Sequence, residues 1–128
     1  AWEVRLAAVQ ALGKIAVKGD QQIITMLIKC FRDDDDDVRG HAIVAAMRIA
    51  ETGDHDVITA LVNRLRCHRW CDGEEEMEAA AIAIVKIAGK NNRQAINEVA
   101  SLLNSRSADV AVQVLTKIAE KGDNHTIT

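Results

Sequence analysis

The chain has 128 residues, enough for one domain with a sizeable core and too few for two ordinary ones. Apolar residues make up 48% and charged residues 27%, which excludes a disordered chain, and no apolar run is long enough to span a bilayer. Net charge is −3, and proline is absent, so the main helix breaker is missing from a chain rich in Ala, Ile, Val and Leu.

An all-helical fold follows. The pattern predicts helices over 2–17 and 20–32, then 36–51 and 54–67, then 75–89 and 92–104, then 108–121, with a stub from 124. These elements repeat. Lys14-Ile15-Ala16, Arg48-Ile49-Ala50, Lys86-Ile87-Ala88 and Lys117-Ile118-Ala119 recur at spacings of 34, 38 and 31 residues. Seven residues before each Ile stand Ala8, Ala42, Ala80 and Ala111. Four after it come Gly19, Gly53, Asn91 and Gly122, types that tolerate the left-handed backbone at a helix end. One further on, Asp20, Asp54, Asn92 and Asp123 are expected to cap the next helix.

Each first helix has its apolar stripe at the Ile, one residue after it, and three, four and seven before it, so Ile15, Ile49, Ile87 and Ile118 are all expected to be buried. Each second helix has its own stripe: Ile24, Leu27, Ile28 and Phe31; Ile58, Leu61, Val62 and Leu65; Ile96, Val99, Ala100 and Leu103. One helix pair cannot cover both stripes, so the pairs must stack side by side. The units are read as about 1–34, 35–72, 73–106 and a truncated 107–128. Neither end carries a polar cap, so the expectation is a section of a longer array that is marginal and association-prone by itself.

Asp37-Val38-Arg39, Ala11-Leu12-Gly13-Lys14-Ile15-Ala16 and the Gly-Asp turns resemble HEAT repeats, and more narrowly the short HEAT-like repeats of phycobilisome lyases. The resemblance covers essentially the whole chain. It implies a right-handed α-solenoid of about three and a half antiparallel helix pairs, with the second helices lining the concave side. Arg5 and Arg39 match the arginine that links repeats in the family, whereas Met77 and Ala108 stand in that column in the later units. The tetratricopeptide repeat shares the 34-residue spacing but wants recurrent Tyr and a Pro, which this chain lacks.

Ten of the 19 acidic residues lie in Asp33–Asp37 and at Asp72, Glu74, Glu75, Glu76 and Glu78; the other nine face 16 basic residues, leaving the rest of the chain at +7. Both acidic runs fall between a second helix and the next first helix. They read as helix caps in solvent, or as a rim, represented by Asp35 and Glu75, that steers a basic partner. The pI of about 5.8, one Phe and no Tyr disfavour nucleic acid. Three cysteines, an odd and sparse set, suggest reduced thiols in the cytoplasm or an organelle stroma.

The segment Cys67-His68-Arg69-Trp70-Cys71 is an insertion. Cys67, His68 and Cys71 could ligate a soft metal but lack the second pair of a zinc motif, so neither metal nor cofactor is expected. Arg69 and Trp70 suit a protein contact, or Trp70 folds over the core edge. His41, His55 and His125 are isolated and read as surface or helix-packing residues rather than ligands, and the sequence shows no nucleophile with a base, phosphate loop or paired carboxylates.

The expected function is therefore a non-catalytic scaffold that holds another protein or peptide within a larger assembly. The alternative implied by the resemblance is a HEAT-like subunit of a bilin lyase. Helical phase places the outward face of the second helices at Gln22, Met26 and Lys29; Asp56, Ala60 and Asn63; Gln94, Glu98 and Ser101. Thr25, Thr59 and Asn97 flank it, with Arg32, Arg64 and Arg66 toward the helix ends. Those amide, hydroxyl and small side chains suit an extended peptide or a partner helix.

Overall fold

In the computed structural model, residues 1–66, 74–89, 92–104 and 108–127 are described, with backbone alone for 74–77 and 121–127. Among them the regular structure is all helical. The helices are α1 (Trp2–Ile15), α2 (Gln21–Cys30), α3 (Asp36–Ile49), α4 (His55–Arg66), α5 (Glu74–Ala88), α6 (Arg93–Ala100), which passes into a 3-10 turn at Ser101–Asn104, and α7 (Ala108–Ile127).

Each second helix starts where a side chain takes over from the missing helical carbonyls. Asp20 Oδ1 accepts from Ile23 N at 3.3 Å, Asp54 Oδ1 from Val57 N at 3.1 Å, and Asn92 Oδ1 from Ala95 N at 3.0 Å. The preceding turn is equally regular. Asp20 N donates to Val17 O and Asp54 N to Glu51 O, both at 3.1 Å, with Gly19 at φ +88° and Gly53 at φ +83°. That fits a type II turn, whose third position needs positive φ and therefore glycine. Gly19 N then donates to Ile49 O at 2.7 Å and Gly53 N to Ile87 O at 2.6 Å. Each turn is thus tied to the repeated Ile of the next unit.

The helices form two layers, with α1, α3, α5 and α7 side by side in one and α2, α4 and α6 in the other. The main packing between layers crosses the loops after the second helices: α2 sits on α3, α4 on α5 and α6 on α7, whereas helices joined by a Gly-Asp turn barely touch. A first-helix stripe is therefore covered by the second helix that precedes it. In α3 the stripe Ala42, Ala45, Ala46, Ile49 and Ala50 is buried throughout, and so is its counterpart Ala80, Ala83, Ile84, Ile87 and Ala88 in α5. Small alanines on these stripes leave room for close helix approach.

This pairing corrects one expectation. Ile49, Ile87 and Ile118 are each 2% exposed, but Ile15 is 72% exposed and Ala8 is exposed too. Among the described residues no helix of the second layer packs on the α1 stripe; α1 buries Val9 instead, toward α3. A second correction falls at the end of α6. Leu103, expected in the core, is 43% exposed and Leu102 is buried in its place. The 3-10 turn has three residues per turn rather than 3.6, which shifts the apolar face by one position. In the third unit the positive-φ glycine is Gly89, at +71°, two residues before the expected column, and Asn91 lies outside the described residues.

A third correction concerns residues 122–124. Instead of turning at Gly122-Asp123 into a new helix, α7 runs unbroken from Ala108 to Ile127. At Gly19 and Gly53 the turn is held by the carbonyl of a repeated Ile, Ile49 and Ile87 respectively. Through 122–124 the local bonds of a continuing helix stand in place of such a turn.

Candidate partner-binding groove

Gln21 Nε2 donates to Asp54 Oδ2 at 3.3 Å, so α2 and α4 start at the same end and run parallel. Between them lies a groove of about 820 Å³. Thr25, Lys29 and Arg32 from the α2 side, and Asp56, Thr59, Ala60, Asn63 and Arg64 from α4, line it; Ile28, Phe31 and His55 complete the lining.

Of the residues expected on the outward second-helix face, Lys29, Asp56, Ala60 and Asn63 come together here. Gln22 and Met26 are exposed on α2, Met26 to 49%, but do not line the groove. The next step along the layer is different. Thr59 Oγ1 donates to Glu98 Oε1 at 3.1 Å, and Gln94 Nε2 to Glu98 Oε2 at 2.9 Å and to His55 O at 3.1 Å. Arg66 Nη1 donates to Asn63 Oδ1 at 3.1 Å and Nη2 to Ser101 Oγ at 2.6 Å. Gln94, Glu98 and Ser101 thus stitch α6 to α4, and the same face is open between α2 and α4. Helical phase cannot reveal this, because a bridge between helices depends on the neighbour's register. His55 is exposed, as expected of a surface residue, and it lies on the groove lining in the first turn after the Asp54 cap.

The acidic run between α2 and α3 has structural employment. Asp35 Oδ1 accepts from Asp37 N at 2.9 Å and Val38 N at 3.1 Å, capping α3. Asp33 accepts a bidentate pair from Arg5, with Nε–Oδ2 at 2.7 Å and Nη2–Oδ1 at 2.9 Å, while buried Arg39 donates through Nη1 to Asp33 O at 2.6 Å. Both arginines of the repeat column therefore converge on one aspartate. The Asp35, Asp36 and Asp37 carboxylates lie within 4.8 Å of one another, but Asp35 is already committed to the cap. Arg69, Trp70, Cys67, His68 and Cys71 lie outside the described residues, and so does the Glu75 side chain.

Titration behaviour follows from these contacts. The Arg5 hydrogen bonds hold the Asp33 carboxyl below its ordinary value, although partial burial opposes them. The stabilisation is present above the unfolded carboxylate value of about 3.9 and is lost as pH falls through the lower folded value. Arg5→Gln should therefore lower the melting temperature at neutral pH, with the gap to wild type closing toward pH 2; a constant gap would assign Arg5 a packing role only. Burial first, then the charge of Asp33, push the Cys30 thiol up, opposite to the direction that activates a nucleophile.

A family model of HEAT repeats matches residues 1–70, more than half of the chain and all of α1 to α4. The chain belongs to the HEAT-repeat family. The match is to HEAT repeats as such and does not distinguish the phycobilisome-lyase subtype. No curated protein and no solved structure matches the chain at a significant level. HEAT repeats are generally protein-interaction scaffolds, and the α2–α4 groove lies wholly within the matched HEAT segment. Among the described residues no helix is long and apolar enough to cross a membrane.

Proposed function

We propose that this HEAT-repeat chain is a non-catalytic scaffold that holds a segment of another protein, as part of a larger assembly, in the groove between α2 and α4. The observation that carries the reading is the contrast along one face. Beyond the Gln21–Asp54 bond at its start the α2–α4 interval is open, with hydroxyl, amide and charged groups on its walls and Ile28 and Ala60 among its apolar residues, whereas the α4–α6 interval is bridged along its length by its own hydrogen bonds. A volume of about 820 Å³ is within the range of small-ligand pockets and accommodates several side chains of an extended segment. Walls of this composition give a peptide hydrogen bonds for register and apolar contact for affinity.

Asn63 is exposed at the groove, so a bulky side chain there obstructs the space without opening a core cavity. A bead-displayed random hexapeptide library should yield enriched sequences with the wild-type chain. Asn63→Trp should abolish that enrichment and leave the melt unchanged, while Lys14→Glu with Arg48→Glu, on the first-helix layer, should preserve it. Loss with the first-helix pair, or retention with Asn63→Trp, would place the binding surface elsewhere.

A further inference from the structure

The charges around the groove are ordered. Lys29 stands in the last turn of α2, Arg32 follows directly after that helix, and Arg64 stands in the last turn of α4. Because α2 and α4 run parallel, all three cations gather at one end. Among the described residues the one carboxylate in the lining is Asp56, in the first turn of α4, at the opposite end beside His55. Arg64 is buried, so the exposed charges of the lining are Lys29 and Arg32 against Asp56; with His neutral, two cations and one carboxylate give a formal +1 on a chain whose net charge is −3.

Of the chain's own acids that follow Arg32, Asp33 and Asp35 are engaged elsewhere, and Asp34, Asp36 and Asp37 are exposed but lie outside the groove lining. Asp33 holds Arg5 and Asp35 caps α3. On the α6 side, Glu98 is bonded to Thr59 and Gln94. The Lys29 and Arg32 side chains make no hydrogen bond or ion pair with the described residues, and both residues are exposed; through the backbone Arg32 N donates to Lys29 O at 3.3 Å.

Resting on the docking reading above, we propose that the occupant is an acidic peptide segment. Its carboxylates meet Lys29 and Arg32 at one end, and a cationic or donor side chain meets Asp56 at the other. Eight helical residues separate Asp56 from Arg64, about 12 Å along the axis at roughly 1.5 Å each. An extended chain rising about 3.3 Å per residue crosses that distance in about four residues. The geometry therefore requires one or two Asp or Glu about four positions from a Lys, Arg, Ser or Thr. A uniform polyanion fits less well. Asp56 would face one of its phosphates, and Phe31, 1% exposed, offers no stacking platform, which leaves the single imidazole of His55 among the described lining residues.

The test uses the same hexapeptide library on the whole chain, followed by anisotropy titration of resynthesised, fluorescein-labelled winners. Winners should be enriched in Asp and Glu; replacing these by Asn and Gln should weaken binding at least tenfold, and so should raising salt from 50 to 500 mM. Lys29→Glu with Arg32→Glu should turn the selection toward Lys and Arg. Winners without acidic enrichment that Asn63→Trp still abolishes would overturn the charge inference and leave the groove as a docking site. Enrichment that Asn63→Trp leaves intact, or none above background, would remove the docking reading and this proposal with it. A hexameric oligo(dT) binding more tightly than the acidic winners would overturn the proposal in favour of nucleic acid.

Discussion

Ile49→Ala should cost about 2–5 kcal/mol of stability, whereas Ile15→Ala, in the same repeat column, should change it by no more than about 0.5 kcal/mol. The side chains are identical and their sequence neighbourhoods nearly so; the burial is not, at 2% against 72% exposed. Ile49 belongs to the α3 stripe, and α3 is packed against α2 on one side and α1 and α5 on others. Removing its methyl groups leaves a hole that rigid neighbours cannot close. Among the described residues Ile15 has no helix of the second layer over it, so truncation there removes surface that water already reaches. Chemical denaturation of both variants, with unchanged slopes, measures the contrast. Equal costs would mean that the first-helix stripe is not covered by the preceding second helix.

Alanine at two glycines of one column should act with opposite sign. Gly53 has φ +83°, and a Cβ there would stand 3.6 Å from Asn92 Nδ2, ordinary contact distance. Space is available, so the cost of Gly53→Ala is the left-handed backbone itself, about 1–2 kcal/mol. Gly122 lies inside the continuous helix α7, where Gly→Ala stabilises by roughly 0.5–1 kcal/mol. Thermal melts of the 128-residue chain should therefore move down for the first and up for the second. Destabilisation by both would mean that the 122–123 turn forms after all and α7 ends near it.

The repeat itself was legible because each column has a local physical reason: an apolar side chain at helical spacing, a glycine for positive φ, an aspartate or asparagine for the cap. Asp20, Asp54 and Asn92 do what their chemistry and position imply. What single columns do not carry is which neighbour covers a stripe. Equivalence between units places Ile15 in the core, yet burial is a property of the pair, and among the described residues no second-layer helix packs on the α1 stripe. Likewise Gly122 repeats Gly53 in sequence but lies in a continuing helix, whereas the Gly53 turn is held by the Ile87 carbonyl. Leu103 was misplaced for a local reason, the 3-10 end of α6, which no proline or glycine announces.

For the groove, helical phase found Lys29, Asp56, Ala60 and Asn63 because outward positions on parallel helices share a face. It also selected Gln94, Glu98 and Ser101, whose hydrogen bonds to Thr59, Gln94 and Arg66 depend on contacts 35 to 39 residues apart in sequence as well as on local ones. Polar side chains read as free surface in one dimension became a bridge in three.

The most direct test of the central claim is a methyl NMR titration of the chain, labelled at Ile, Val, Leu, Ala and Met methyls, with a hexapeptide selected from the library. The account predicts shifts concentrated at Ile28 and Ala60 in the groove, with Ile82, Val85 and Val112 on the first-helix layer unmoved. Shifts centred on Ile82, Val85 and Val112, with Ile28 and Ala60 unchanged, would contradict it.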